Sequence, residues 1–309
     1  MAKPSRFALV FDGQSGVKPE HLIKALCCPQ VKERVACASS LLGRDLFALA
    51  SAQEPAVLNS TAVHSLHFSI SIGLFDALRA RGFKPTVVAG YSLGEFATIV
   101  ATEVISFEKA LLIVEGRAKL IAMATEQLDG LTVNLRGDAR VLEQVPSLLT
   151  HGVTIAAFNS SQSLNLTGPR EAVLRVVGLV ERLPVRVRIL PFPAISHSPL
   201  LKNFVARLDS YLRQAQPYYS PSVQVINATT GTLVKTYGGA FRNLLKHQLV
   251  NPVQWVKVVE RLRELEEPEI LEIGVNPYLG RGIKTDWPEA TVLPVSDQES
   301  LEAAVAAIS

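Results

Sequence analysis

The sequence predicts a mixed α/β protein built of two parts, on three observations. A short apolar run at residues 86–89 leads directly into Gly90-Tyr91-Ser92-Leu93-Gly94-Glu95 and then into a helical pattern through Ala101, which reads as strand, tight turn and helix. A continuous apolar run at residues 7–11, ended by Asp12-Gly13, reads as a buried strand followed by a turn. Between Gly130 and Pro191 short strands and helices alternate in a different rhythm.

In chain order, the strand at 7–11 is followed by a helix over 66–81, with Leu66, Ile70, Gly73-Leu74 and Ala77-Leu78 on one face and Gly82 as its stop. The strand–turn–helix at 86–101 comes next. Strands are then expected at 131–135, 153–158, 164–167 and 185–190, with helices around 141–149 and 170–183. The order β-α-β-β-α-β matches a ferredoxin-like unit, which closes on itself and can be inserted in a larger domain. Residues 1–128 and 192–309 are therefore expected to form one discontinuous domain around a subdomain at 129–191.

Composition narrows the function classes. At 309 residues, 48% hydrophobic and 19% charged, the chain can bury roughly three quarters of its unfolded surface, which excludes a disordered protein. The net charge of +3 comes from 31 basic and 28 acidic residues spread along the chain. No basic run is interleaved with aromatics, so no nucleic-acid partner is expected. Mild basicity still favours the docking of an acidic protein or a phosphorylated cofactor. Cys27, Cys28 and Cys37 crowd into one stretch; vicinal cysteines bridge only with strain and no Cys/His set has zinc spacing, so no metal is expected and a reducing cytosol fits. The apolar run at 7–11 is shorter than a signal-peptide core, and nothing approaches a membrane span, so a soluble cytoplasmic protein without a membrane partner is expected.

Gly-x-Ser-x-Gly at Gly90, Ser92 and Gly94 is the pattern of a nucleophile elbow, and its context makes the larger part α/β-hydrolase-like with a central parallel sheet. Glycines permit the sharp turn that exposes Ser92 and aims backbone N–H groups at its substrate. The plainer alternative is a glycine-rich turn capped by Ser92. A serine hydroxyl needs a base, normally histidine. His21, His151 and His247 lie in polar or helical surroundings, whereas His197 sits in a loop at 192–199, just after the subdomain, where it can reach a strand-end serine.

These residues, with others in the same order, resemble the malonyl-CoA:acyl carrier protein transacylase family of fatty-acid and polyketide synthesis. The resemblance runs through Val10-Phe11-Asp12-Gly13-Gln14, Gly90 to Glu95, Glu115-Gly116-Arg117, Ser196-His197, Gln248 to Trp255 and Glu272-Ile273-Gly274. It implies a ping-pong reaction in which Ser92 takes an acyl group from coenzyme A and His197 is its base. It further implies an oxyanion hole from the backbone N–H groups of Gln14 and Leu93, and a main-chain carbonyl at Gln248 that orients His197. Arg117 would fork two N–H bonds to the free carboxylate of a malonyl group; on periodicity alone it is a helix-surface arginine. Asn159 resembles a family asparagine at the edge of the site and is otherwise a turn residue.

The sequence departs from the family at Asp12, Ser15-Gly16 and Tyr91, all expected to border the acyl pocket, at His64 in place of a pocket glutamine, and at Val275-Asn276. These departures suggest a specialised relative. The resemblance implies no bound cofactor, a coenzyme A thioester as donor, and the phosphopantetheine of an acyl carrier protein as acceptor, with the enzyme freestanding, monomeric and acting in trans. Seven arginines against five acids over 128–191 serve a carrier-docking surface or a solvated face equally. Alternatives from the same residues are an acyl-carrier-protein hydrolase, the malonyl-loading subunit of a malonate decarboxylase, and a non-catalytic assembly partner. Ser196 does not separate malonyl from methylmalonyl donors.

Overall fold

A computed structural model describes residues 6–14, 16–52, 54, 57, 61–191, 195–234 and 239–308. Two five-stranded sheets organise them. The first has the order β10-β9-β1-β2-β7, from β1 (Ala8–Phe11), β2 (Val87–Gly90), β7 (Gln224–Ile226), β9 (Glu269–Ile273) and β10 (Thr291–Val295), and all its pairings are parallel. Strands β1 and β2 are short, apolar and wholly buried, as a parallel sheet covered on both faces requires, and β9 is buried but for Glu269 at its start. The fold is thus the α/β-hydrolase-like architecture expected, with β7, β9 and β10 completing the sheet beyond the two strands expected in it.

The second sheet has the order β6-β3-β5-β4-β8, from β3 (Gly130–Gly137), β4 (Thr154–Ser160), β5 (Ser163–Pro169), β6 (Val185–Ile189) and β8 (Val253–Gln254). Its pairs β3–β5, β3–β6 and β4–β5 are antiparallel, which is the ferredoxin-like arrangement. The fifth strand comes from far along the chain: β8 lies parallel to β4, with Ala157 opposite Val253, and ties this sheet to the main body. The helical stretch expected over 141–149 is two single turns, Ala139–Leu142 and Val145–Leu148. Pro146 in the first turn of the second lacks an N–H and disfavours a helical residue before it, so the pattern breaks there.

The ends of β1 and β2 position the site. Phe11 pairs with Gly90, and helix Gly94–Ala101 starts immediately beyond. A Cβ on Gly90 would overlap the backbone of Gly94 and Glu95, and one on Gly94 would meet the carbonyl oxygens of Phe11 and Asp12. Only hydrogen at both positions lets the helix begin this close to the sheet. The helix Phe107–Gln127, capped by the Ser106 hydroxyl, crosses behind it and buries Gly116 and Arg117.

Gly94→Ala is expected to destabilise the protein by about 2 kcal/mol or more, because backbone and not a flexible side chain must move. Gly178, inside helix Arg170–Val180, has nothing within 4 Å of its missing Cβ, so Gly178→Ala should stabilise by about 0.5–1 kcal/mol. Denaturant midpoints of the two variants check both signs.

Candidate active site

Ser92 stands at the sharp turn between β2 and its helix with φ 54°, and His197 has φ 57°. Positive φ is uncommon outside glycine and is held only where surrounding structure enforces it. Here it turns both side chains toward each other: Ser92 Oγ lies 2.6 Å from His197 Nε2. The other ring nitrogen, Nδ1, lies 2.8 Å from the Gln248 carbonyl oxygen. A carbonyl only accepts, so Nδ1 carries the proton, Nε2 presents a lone pair, and the Ser92 hydroxyl donates to it. Burial, reinforced by the Arg117 charge, pushes the imidazole down to about 3, against the opposing pull of main-chain bonds at Gln248 and Asn251. The ring is neutral at physiological pH and free to accept a proton. Of the loop expected around it, residues 192–194 lie outside the described residues.

Arg117 is no surface arginine. It is 2% exposed, because it shares the buried face of helix Phe107–Gln127 with Ala110, Ile113, Val114, Ile121 and Ala124, three, four and seven residues away. Its Nη2 donates to Ser92 Oγ at 3.2 Å and its Nε to Gln248 Oε1 at 3.1 Å, with the guanidinium carbon 5.6 Å from the centre of the Phe96 ring. Burial lowers its pKa to about 10, partly offset by Glu95, so it stays charged. The Gln248 amide donates to Ser92 O at 2.7 Å and to Glu95 Oε2 at 2.5 Å. Glu95 closes the Gly90–Glu95 motif, and an acid in the first turn of an otherwise apolar helix is the sequence signal for a role that the motif by itself does not name.

Gln14 and Leu93 each follow the Phe11–Gly90 pair by three residues, so adjacent parallel strands deliver both to the cleft that Ser92 lines. His64, buried in the first turn of helix His64–Ala80, reaches the Gln14 side chain with Nε2 2.6 Å from Oε1. Burial, with the charge of Arg117, holds its pKa well below the usual histidine range. The Tyr91 hydroxyl donates to Asn159 Oδ1 at 2.6 Å, linking the serine turn to β4. Asn159 is therefore a joint across the cleft and more than a turn residue. Asp12 does not border the cleft as expected; its carboxyl packs where a Cβ on Gly274 would sit. Burial and the neighbouring Glu272 hold that carboxyl well above its usual range. Gly16 and Asn276 do line the cleft, joined by Asn276 Nδ2 to Gly16 O at 2.7 Å; Ser15 lies outside the described residues.

The cleft, about 900 Å³, runs between the two sheets, and Arg136, Arg186, Arg188 and Arg281 line its outer part. Arg136 and Arg186 are directly opposed on neighbouring strands, an unfavourable like-charge pair unless an anion is bound between or near them. Among the described residues no group of three or more His, Cys, Asp or Glu side chains is placed to hold a metal, and no helix is long and apolar enough to cross a membrane. A neutral imidazole on a serine, with a cation beside the same oxygen, can perform nucleophilic acyl transfer on an anionic acyl group.

The chain matches the acyl transferase domain family over residues 46–305. It is 30% identical to the malonyl CoA-acyl carrier protein transacylase of Escherichia coli strain K12, over 97% of this chain and 99% of that one. Among solved structures, a malonyl-transacylase in complex with a type II polyketide-synthase acyl carrier protein superposes with TM-score 0.88 at 27% identity, covering 98% of this chain and 100% of that one. The malonyl CoA-acyl carrier protein transacylase of Coxiella burnetii does so with TM-score 0.88 at 28% identity, over 99% and 98%.

The tautomer is directly testable. Nitrogen-15 NMR of His197 should report protonated Nδ1 and bare Nε2 from about pH 8 down to about pH 5, where an ordinary histidine becomes doubly protonated. A midpoint near the usual value would overturn the arrangement.

Proposed function

The chain belongs to the acyl transferase domain family, of the malonyl-CoA:acyl carrier protein transacylase type, and we propose from that premise how its own residues move a malonyl group from coenzyme A to the phosphopantetheine thiol of an acyl carrier protein. Ser92 Oγ attacks the thioester carbonyl as His197 Nε2 takes the hydroxyl proton. The carbonyl becomes an oxyanion, for which the backbone N–H groups of Gln14 and Leu93 are the donors. Collapse breaks the C–S bond, the proton passes from His197 to the departing sulfur, and malonyl-Ser92 remains as an ester. The carrier thiol then repeats the sequence: it loses its proton to His197, attacks the ester carbonyl, and Ser92 Oγ leaves and is reprotonated.

One observation carries the choice of acyl group: the Arg117 guanidinium lies 3.2 Å from the nucleophile oxygen and is buried. A buried cation costs several kcal/mol unless paired, and an anionic carboxylate one malonyl length from the reacting carbonyl supplies the pair. Its arrival also removes a charge that opposes protonation of His197, so the base strengthens when the correct donor is bound. Asn159, Tyr91 and His64 shape the surroundings of the acyl group. Residues 129–191 act as the subdomain that closes the cleft against the domain of residues 1–128 and 192–309. The arginines at the outer cleft suit the phosphates of coenzyme A and of the carrier's prosthetic arm. No metal or bound cofactor enters this scheme. The carrier acts in trans, in polyketide or fatty-acid synthesis, and the cytoplasm is the setting that those substrates imply.

Incubation with malonyl-CoA should give a protein adduct by intact mass that Ser92→Ala abolishes. Arg117→Ala should lower malonyl loading about a hundredfold or more while acetyl loading changes far less. Release of free coenzyme A with no adduct and no acylated carrier would instead establish hydrolysis.

A further inference from the structure

We propose that Glu95 is a positioning residue for this transfer: acting through the Gln248 amide, it fixes the Arg117 guanidinium and so sets the selection of a carboxylated acyl group. The proposal rests on Arg117 as the carboxylate partner.

The hydrogen-bond inventory leaves the network a single polarity. Glu95 Oε1 accepts from Asn227 Nδ2 and the Ala228 N–H, each at 3.2 Å, and Oε2 accepts from Gln248 Nε2 at 2.5 Å. The same Gln248 nitrogen donates to Ser92 O at 2.7 Å. Two acceptors on its nitrogen side leave the Gln248 oxygen facing Arg117 Nε at 3.1 Å, where only an acceptor suits. An ionised carboxylate accepts at both oxygens, and here both face N–H donors. Replacing it by an amide puts one NH₂ into that ring. Asn227 and Ala228 require the oxygen, so the new NH₂ faces Gln248 Nε2, donor against donor. Gln248 relieves this by rotating its amide, which then turns NH₂ toward Arg117 Nε and leaves Ser92 O without its donor. Arg117 loses its hydrogen bond to Gln248 and its alignment on Ser92.

Protonation of Glu95 has the same effect, because a proton on either oxygen meets an N–H donor. Helix Phe107–Gln127 contributes Arg117 to the surroundings of Glu95, helix Gly239–Gln248 contributes Gln248, Phe241 and Leu245, and β7 and the loop after it contribute Val225, Ile226 and Asn227. Among the described residues Arg117 is the charged group facing Glu95, and His197 is joined to the ring through the Gln248 carbonyl. Burial pushes Glu95 up to about 7, against the lowering pull of Gln248, Ala228 and Arg117. Its carboxylate, and with it the aligned Arg117, is complete above that pH and is lost as pH falls through it.

The test is loading of Ser92 from malonyl-CoA and from acetyl-CoA across about pH 5.5–8.5, for the natural protein, Glu95→Gln, Gln248→Ala and the double variant. In the natural protein the KM for malonyl-CoA should rise as pH falls through about 7, with acetyl loading unmoved. Glu95→Gln should raise the malonyl KM about tenfold at the alkaline end, abolish the pH step and change kcat less than about threefold. In Gln248→Ala, which keeps the main-chain carbonyl on His197, adding Glu95→Gln should have no further effect on the malonyl KM. Equal losses for both donors, additivity in the double variant, or a pH step that survives Glu95→Gln would overturn the proposal. Arg117→Ala run alongside separates the layers. If it spares malonyl loading, the reading of Arg117 itself is wrong; if it abolishes malonyl preference while Glu95→Gln does not, only the role of Glu95 falls. Far-UV circular dichroism and denaturant midpoints report whether each variant is folded.

Discussion

Everything at the site depends on one close approach of backbone to backbone. The first turn of helix Gly94–Ala101 sits against the carbonyl ends of β1 at a distance that hydrogen alone permits at Gly90 and Gly94. That contact forces Ser92 to φ 54°, lifts its hydroxyl off the sheet, and brings the loop after β1, with Gln14, beside the loop after β2, with Leu93. The strain at Ser92 is sustained because the parallel strands on either side are buried and paired along their length. A nucleophile on a mobile loop would have no such fixed relation to its neighbours.

Around that turn a buried polar ring does what a hydrophobic core cannot. Gln248 uses its main-chain oxygen to hold His197, its side-chain oxygen to hold Arg117, and its nitrogen to hold Glu95 and the Ser92 carbonyl. One residue thereby connects the base, the cation and the main chain of the nucleophile. The low dielectric that makes an unpaired buried arginine costly also makes each of these bonds stronger than it would be in water. The histidine is kept neutral by the same surroundings, without the buried aspartate that other serine–histidine sites place on the far ring nitrogen.

The second sheet supplies the opposite wall. It is anchored by the short parallel pairing of β8 with β4 and by the Tyr91–Asn159 hydrogen bond, so the cleft is spanned both by main chain and by a side chain next to the nucleophile. Tyr91 also packs edge-on against Trp255 and Tyr278, with ring centroids 5.5 and 5.9 Å away. Asp12 points away from the cleft and meets Glu272, whose carboxylate accepts the N–H groups of Tyr278, Leu279 and Gly280. The departures at Asp12 and Tyr91 therefore act on different parts of the protein, one behind the site and one inside it.

Sequence alone determined the elements whose cause is local. Glycine spacing announces the turn at Ser92, unbroken apolar runs announce β1 and β2, and alternating short elements announce the antiparallel unit, because each pattern reflects steric or solvation rules that act within a few residues. It also ordered Ser92, Arg117, His197 and Gln248 along the chain in a recognisable series. Only the tertiary structure decided what the buried Arg117 meets: it shares the buried stripe of its own helix with Val114 and Ile121, but its partner Gln248 lies 131 residues away. The assignment of Glu95 to Gln248, the covalently distant pairing of β8 with β4, and the direction of the Asp12 side chain are likewise matters of contact. They depend on which donor meets which acceptor when segments far apart in the chain are packed together, and no local rule encodes that meeting.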